Sequence, residues 1–442
     1  LISAEQEVDM NPRGIAWYIL KQVFNEHKLI TDMYLYIFEQ VSDERDRRLV
    51  VEIIYGTCRF RGRLDHILTR FANQKRTEPE IWLLLASAAY QILFLTRTPD
   101  YAIINDTVTV AKEAFNGNKK KSGFINAVLK KVAREKDSFT FPTSERLQEF
   151  IEHNLSFPYW LGMKWISDYG METAVQIMKS LNLRKPVVFR CFQGLESFGP
   201  ENRFHPTPYV EDSFEANVPI YLMRAGSCYV MNESSQLVAE LLRKFSGKWV
   251  LDAASSPGGK GFILTTFEGI EEVVFNDISA GRIQRVIENS QDLSIAISSP
   301  VLSDFLKLSF RESSMNAILL DAPCTGTGTI SGHPELKWIR KPGEIRERSM
   351  LQSHMIRNAF SLLKPDGVLV YSVCSLEKEE GEDVVLNFVS GERQAELIHP
   401  FTFASEQIAE RFEGFMENEL FLRILPDKYL DGFFAAVIHK KP

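Results

Sequence analysis

The stretch Lys248-Trp-Val-Leu-Asp-Ala-Ala-Ser-Ser-Pro-Gly-Gly-Lys260 constrains the fold of this chain more than any other. A short apolar run, Trp249 to Leu251, stops at an acid and opens into a glycine turn, which reads as strand, loop and helix. Gly258 and Gly259 let bare backbone N–H groups approach a ligand. A second run, Glu272-Val-Val-Phe-Asn-Asp277, ends in another acid roughly 20 residues after the glycines, where a βαβ unit sets a carboxylate on a ribose hydroxyl. This is a layout for a nucleoside. Yet Ser256 to Phe262 lacks G-x-G-x-x-G, and Ala254 and Gly261 stand where a P-loop needs glycine and a hydroxyl residue. With no phosphate pattern present, S-adenosylmethionine is the expected ligand; the plain alternative is an ordinary strand-to-helix turn with incidental glycines.

The alternation continues downstream. It predicts strands at 248–252, 272–277, near 300, 317–320 and 368–373, and helices at about 260–267, 280–290 and 345–363. Repeated β–α units make a doubly wound, mostly parallel α/β sheet of Rossmann-like type, whose ligands bind at the carboxyl ends of the strands. Asp252, Asp277, Asp304 and Asp321 all fall at such ends. Two more strand ends, Asp321-Ala-Pro-Cys-Thr-Gly-Thr-Gly328 and Val370-Tyr-Ser-Val-Cys-Ser375, each carry a cysteine. A lone strand-end cysteine is usually packing. Two of them beside an acid suit methylation of a carbon too weakly nucleophilic to react unaided, such as carbon 5 of a pyrimidine. Thiolate addition at carbon 6 makes carbon 5 enamine-like, and eliminating the thiol restores the ring. The target carbon lies in the plane of a stacked base, so the nucleotide must be flipped or already unpaired.

The front of the chain reads as helices throughout: Arg13 to Phe24, Arg48 to Phe60, Ile81 to Leu95 opened by Pro79, Ala102 to Phe115, and Ser122 to Arg134. The net charge of −7 speaks against nucleic acid, but its distribution is uneven. Arg45 to Arg76 holds nine basic residues to three acids, and Lys112 to Lys136 eight to two, an electrostatic footprint for a phosphate backbone or else solvated helix faces. Periodicity lapses from Asp137 to Pro142. Two helical patterns around 157–165 and 174–183 follow, then a β-rich run, Val187 to Phe192, and a stretch at 193–230 that suggests a small sheet. Three domains are expected: a helical one at 1–140, a small α+β linker at 141–230 and a catalytic one at 231–442. Five scattered cysteines without C-x-x-C spacing argue against a disulfide framework and a zinc site, and no metal is expected. No apolar run reaches membrane-spanning length and Leu1 to Met10 holds no basic residue, so no membrane association and a cytoplasmic location are expected.

Specific phrases carry a resemblance. Tyr55-Gly-Thr-Cys-Arg59, Ala89-Tyr-Gln-Ile-Leu93 and Phe124-Ile-Asn-Ala-Val-Leu129 resemble the all-α NusB-like RNA-binding domain found in front of certain rRNA methyltransferases. Asp321 to Gly328, Tyr371 to Ser375 with the acidic run Glu377 to Asp383, and Asp431-Gly-Phe-Phe-Ala-Ala436 resemble the RsmB/Fmu type of 16S rRNA cytosine-5 methyltransferase, within the NOL/NOP/Sun family. The resemblance implies Cys374 as nucleophile and Cys324 as the residue assisting release. DNA cytosine methyltransferases use the cysteine of their Pro-Cys pair, which would point to Cys324, and spacing alone leaves that choice open. Asp321 is expected on the cytosine's polar edge, with Lys260 supporting the thiolate or base. The cofactor set is Asp252, Ser256, Pro257, Gly258, Gly259, Lys260, Asp277, Arg282, Asp304 and Asp321. The implied partner is small-subunit rRNA, unassembled or partly assembled, and the protein is expected to be a monomer. The chain departs from the family pattern at Ala254, Ser255, Ser256 and Gly261, at Val373 where threonine is usual, at Gly381 where asparagine is usual, and at Cys191-Phe192 after Arg190. A non-catalytic RNA-binding or assembly factor that keeps the fold is the competing class.

Overall fold

Residues 11–192, 204–216, 228–307 and 310–442 are described by the computed structural model, and their contacts divide the chain into two units, Leu1–Asn182 with Gly332–Arg340, and Leu183–Ser331 with Lys341–Pro442.

Helices alone build the described part of the first unit: α1 (Pro12–Glu26), α2 (Tyr34–Gln40), α3 (Glu44–Arg59), α4 (Arg61–Thr69), α5 (Pro79–Phe94), α6 (Asp100–Ala114), α7 (Lys119–Glu135), a single turn α8 (Leu147–Glu149) continued by a π turn at Phe150–Asn154, α9 (Tyr159–Tyr169) and α10 (Met171–Leu181). Polar side chains start several of them. Asn11, Asp43 and Asn118 each accept from two free N–H groups of the turn that follows. α5 is apolar on all sides and buries Ile81 through Ile92, as the centre of a bundle must. Arg13 on α1 reaches it, donating to Gln91 at 2.8 Å while pairing with Asp106 at 2.7 Å. Periodicity predicted the five long front helices to within a few residues but not α2 and α4, whose apolar positions are too few to show.

Residues 332–340 belong to this unit although they lie far along the chain. Lys337 is fully buried; its ammonium donates to the Arg59 carbonyl at 2.7 Å and to Asn182 Oδ1 at 2.8 Å, over the Phe157 ring. The Trp338 indole N–H donates to the Cys58 carbonyl at 2.6 Å, and Glu335 accepts from the Ile30 N–H at 3.2 Å.

The second unit opens with a four-stranded antiparallel sheet, β1 (Val187–Cys191), β2 (His205–Pro206), β3 (Ser213–Ala216) and β4 (Cys228–Val230), in the order β2-β3-β1-β4. The small sheet expected over 193–230 is thus found in part; residues 193–203 and 217–227 lie outside the described residues. Arg190 is buried and paired with Glu240 at 2.9 Å, which makes it a core residue. One expectation is corrected here: Cys191 and Cys228 form a disulfide. The antiparallel register of β1 and β4 sets the two residues directly opposite, a juxtaposition that their 37-residue separation hides.

The chain then runs through α11 (Glu233–Glu240), β5 (Gly247–Asp252), α12 (Gly259–Leu264), β6 (Ile270–Asp277), α13 (Ala280–Asp292), β7 (Ser299–Leu302) and β8 (Met315–Asp321). After α14 (Leu336–Ile339), the turn already placed in the first unit, come α15 (Pro342–Leu362), β9 (Leu363–Val373), α16 (Glu382–Gly391), β10 (Ala395–Ile398), α17 (Glu406–Phe412), β11 (Met416–Asn418), β12 (Phe421–Ile424) and β13 (Phe433–Lys440). The strands form one sheet in the order β11-β12-β13-β9-β8-β5-β6-β7, with β10 on β13. β7, β6, β5, β8 and β9 are parallel, as the alternation of strand and helix requires. The strands after α16 add an antiparallel wing that the alternation did not anticipate. Along β8, Ala317 and Leu319 face one core with α11 and α12, while Ile318 and Leu320 face the other with α15 and α16. Both faces of the sheet are therefore covered, and its functional surface is the row of carboxyl ends.

Candidate active site

The rim follows from strand order. β7, β6, β5, β8 and β9 are successive neighbours, so the acids that end them or follow them closely, and the two cysteines, line one edge. The first three acids stand at or just past the ends of β5, β6 and β7. Asp252 ends β5 and is buried; burial pushes its carboxyl up to about 7 against the pull of Lys260 and of the backbone N–H groups of Gly261 and Ala254. Asp277 ends β6, also buried, and its Oδ1 accepts from the Ser279 N–H at 3.0 Å. Asp304 stands two residues beyond β7, accepts from the Leu306 N–H at 3.1 Å and faces Lys307 at 3.4 Å. Its loop is joined to the end of β6 by the Ser303 N–H, which donates to the Asp277 carbonyl at 3.1 Å.

Between β5 and α12 the loop is closed on itself. The Ser255 N–H donates to the Asn276 carbonyl, and the Gly258 N–H donates to the Ser255 carbonyl at 2.6 Å. Ser256 and Pro257 are joined by a cis peptide bond, and the Pro257 carbonyl accepts from Asn289 at 2.8 Å. Gly258 has φ +111°, in the left-handed region, and a Cβ there would come within 2.3 Å of the Phe262 ring, so glycine is required on both grounds. The buried Ser255 hydroxyl has no partner. An unpartnered buried oxygen beside a close-approach loop is what a polar cofactor would satisfy. Arg282 is exposed on the first turn of α13.

On the other side of β5 stands a polar pair. Lys260, on α12, donates to Asp321 Oδ2 at 2.6 Å, and Ser372 donates to Asp321 Oδ1 at 3.0 Å. Burial alone would lower the Lys260 ammonium; Asp321, with Cys374 and Asp252, outweighs it, and the net shift is upward, so the side chain stays charged. Beside this pair the two sulfurs meet: Cys324 Sγ and Cys374 Sγ are 3.3 Å apart, both half-buried. The hydrogen bond to Cys374, followed by burial, raises the Cys324 thiol well above its ordinary value. The two thiols are close enough to share a proton, and either sulfur can be its donor.

Sequence reasoning thus named residues that the fold brings together, but it missed those that hold the cysteines. Glu380 is fully buried and accepts from Thr325, Gln352 and Ser375. The acidic run 377–383 was a signal, but periodicity gave no hint that this one carboxylate points inward. The departures also acquire a context. A Cβ at Gly261 would lie 2.3 Å from the Phe275 ring and 2.9 Å from Asp252 Oδ2, so the phenyl ring occupies the place a larger residue would need. Val373 is buried in the sheet core, and a Cβ at Gly381 would come within 3.1 Å of Phe434.

Comparison with known proteins agrees with this architecture. Residues 239–439 match the family described as 16S rRNA methyltransferase RsmB/F, and residues 10–134 match the NusB family. The ribosomal RNA small subunit methyltransferase B of Cronobacter sakazakii is 28% identical over 450 residues, spanning 98% of this chain and 99% of its own. Among solved structures, PH0851 superposes with a TM-score of 0.78 at 21% identity, covering 98% of this chain and all of its own. NSun6 from Pyrococcus horikoshii, solved with the S-adenosylmethionine analogue SFG, gives a TM-score of 0.54 at 22% identity over 65% of this chain and 99% of its own.

Proposed function

We propose that this chain, whose residues 239–439 match the 16S rRNA methyltransferase RsmB/F family and whose residues 10–134 match the NusB family, is an S-adenosylmethionine-dependent member of that methyltransferase family and methylates carbon 5 of a cytosine in small-subunit rRNA through a covalent adduct on Cys374. The observation that carries this reading is the meeting of two thiols at 3.3 Å, at the ends of adjacent strands and beside the Lys260–Asp321 pair.

S-adenosylmethionine supplies an electrophilic methyl on a sulfonium. Backbone at Pro257 to Lys260 would hold the methionine part, Asp277 would accept from the ribose hydroxyls, and Asp304 would bind the adenine amine. Cys374 adds to carbon 6, with Lys260 favouring the thiolate by charge. The adduct makes carbon 5 nucleophilic enough to take the methyl that S-adenosylmethionine would supply, leaving the cofactor as the neutral thioether. Asp321, fixed by Lys260 and Ser372, bonds the polar edge of the base. In the adduct the Cys374 sulfur is bonded to carbon 6 and no longer shares a proton with Cys324; the Cys324 thiolate takes the proton from carbon 5, and the Cys374 sulfur leaves carbon 6 as a thiolate, a role supported by the closeness of the two sulfurs. In functional terms residues 1–140 hold RNA, 231–442 carry out the chemistry and 141–230 connect them, in a cytoplasmic monomer. No helix of the described residues is long and apolar enough to cross a membrane.

The test separates the thiols. Each variant is incubated with S-adenosylmethionine and a labelled rRNA fragment, and denaturing gels are read for a shifted band. Cys374→Ala should give none, whereas Cys324→Ala should accumulate a stable adduct. The reverse pattern would exchange the two roles. Adduct in neither variant would favour the non-catalytic RNA-binding reading, for which the departures at Gly261 and Val373 already speak.

A further inference from the structure

One buried carboxylate joins the two loops that carry the sulfurs. Glu380 Oε2 accepts from the Thr325 backbone N–H at 2.8 Å and from the Gln352 amide at 3.0 Å. Its Oε1 accepts from the Ser375 hydroxyl at 2.8 Å and from the Thr325 hydroxyl. Thr325 follows Cys324 in the chain, and Ser375 follows Cys374. Gln352, on α15, also donates to the Pro323 carbonyl at 3.1 Å, so the residues on both sides of Cys324 are tied to the same hub. The Tyr371 hydroxyl, at the end of β9, donates to the Glu380 carbonyl at 2.6 Å and fixes its backbone. A further bond, from the Gly328 N–H to the Cys374 carbonyl at 3.0 Å, closes the two loops on each other.

We propose that Glu380 is a positioning residue: by accepting from the neighbours of both cysteines, it sets the register of two separately anchored loops so that their sulfurs meet. Burying a carboxyl group costs free energy unless its hydrogen bonds are filled. Here four donors converge on it from three segments of the chain, and two of those segments carry the thiols. A misplacement of reacting groups by about 1 Å is enough to cost roughly 100-fold in rate. The hub acts on geometry, and this makes a sharp distinction between variants. Glutamine keeps the shape, and its amide can turn its N–H groups to the rotatable Thr325 and Ser375 hydroxyls while its oxygen takes the Thr325 N–H and Gln352. Alanine withdraws the shared acceptor from all four donors.

The proposal deepens the two-thiol reading above, so its test needs a readout that does not pass through methyl transfer. In the full-length protein, diamide takes up the two thiol hydrogens and leaves a Cys324–Cys374 disulfide, whose rate of formation, followed by peptide mass spectrometry, reports how often the sulfurs meet. Glu380→Ala should slow this cross-link and lower kcat, each by about 100-fold, with KM for RNA and the affinity for S-adenosylmethionine within about twofold of wild type. Glu380→Gln should restore most of both. Because Glu380→Ala could fail to fold, Ser375→Ala, which removes a single donor on the Cys374 side, serves as the milder variant and should slow cross-linking by a smaller factor. Wild-type cross-linking in Glu380→Ala and Ser375→Ala would overturn the proposal. Cross-linking that depends on Glu380 in a protein that methylates no cytosine would sustain the positioning role and sink the reaction assigned to the thiols.

Discussion

Asp252 shows how a single residue can be placed correctly from sequence and still behave unexpectedly. The apolar run before it and the glycines after it located it at a strand end, but its raised proton affinity follows from complete burial, a tertiary fact. Its ordinary value of 3.8 rises to about 7. In the pH window between those values the folded protein holds a proton that the unfolded chain has lost, so this group's contribution is most favourable below about pH 4, declines as pH rises and levels off above pH 7. Asp252→Asn, with no carboxyl to ionise, should therefore gain in thermal midpoint over wild type as pH goes from 5 to 8, in the absence of S-adenosylmethionine. Every tenfold change in proton affinity between the folded and unfolded chain is worth about 1.4 kcal/mol. A difference that does not change with pH would show that Asp252 ionises normally in the folded protein. Cys324, Cys374 and Asp321 could be placed at or just past strand ends because each follows an apolar run that reads as a strand. Glu380 was not, since its partners Thr325, Gln352 and Ser375 lie 55, 28 and 5 residues away and only the folded sheet gathers them.

At the scale of elements, the β5–loop–α12 unit is where the sequence departs most from the family pattern it resembles, and the structure gives a physical reason to treat one departure as a pair. Gly261 and Phe275 share one volume: the ring on β6 fills what a side chain on α12 would otherwise take. Gly261→Thr alone should therefore destabilise by about 1–3 kcal/mol through overpacking. Combined with Phe275→Ala, it should cost less than the two single changes added together, which a double-mutant cycle by urea unfolding would read. Strict additivity would mean that the two residues are independent. The helices and parallel strands were readable because each follows from a local period, of 3.6 residues or of an apolar run between turns. The antiparallel wing was not. β12 and β13 are apolar strands without a helix between them, and only pairing with β9 reveals their direction.

Across the whole molecule the charge is as uneven as the composition indicated, but the lysines at the start of α7 are not equivalent. Lys121 pairs with Glu78 at 2.6 Å and lies over the Phe115 ring, whereas Lys119 and Lys120 are exposed. If this face meets RNA, Lys119→Gln with Lys120→Gln should lower the slope of log affinity against log salt by about 1–2, as expected when that many phosphate contacts are lost. Filter binding across a salt series would measure it, and an unchanged slope would place the RNA elsewhere. Contacts keep 141–182 with the helices and give 183–230 to the sheet-bearing unit. Nothing in the sequence marked residues 332–340 as belonging with the first 182. Their membership bears on how such proteins can be recombined. A polypeptide that leaves one unit, lends nine residues to the other and returns has no single crossover point at which parental halves can be exchanged. A chimaera joined at 182 would confront Lys337 and Trp338 with the wrong Arg59, Asn182 and Cys58 neighbourhood, and its soluble yield should recover only when 332–340 come from the same parent as the front.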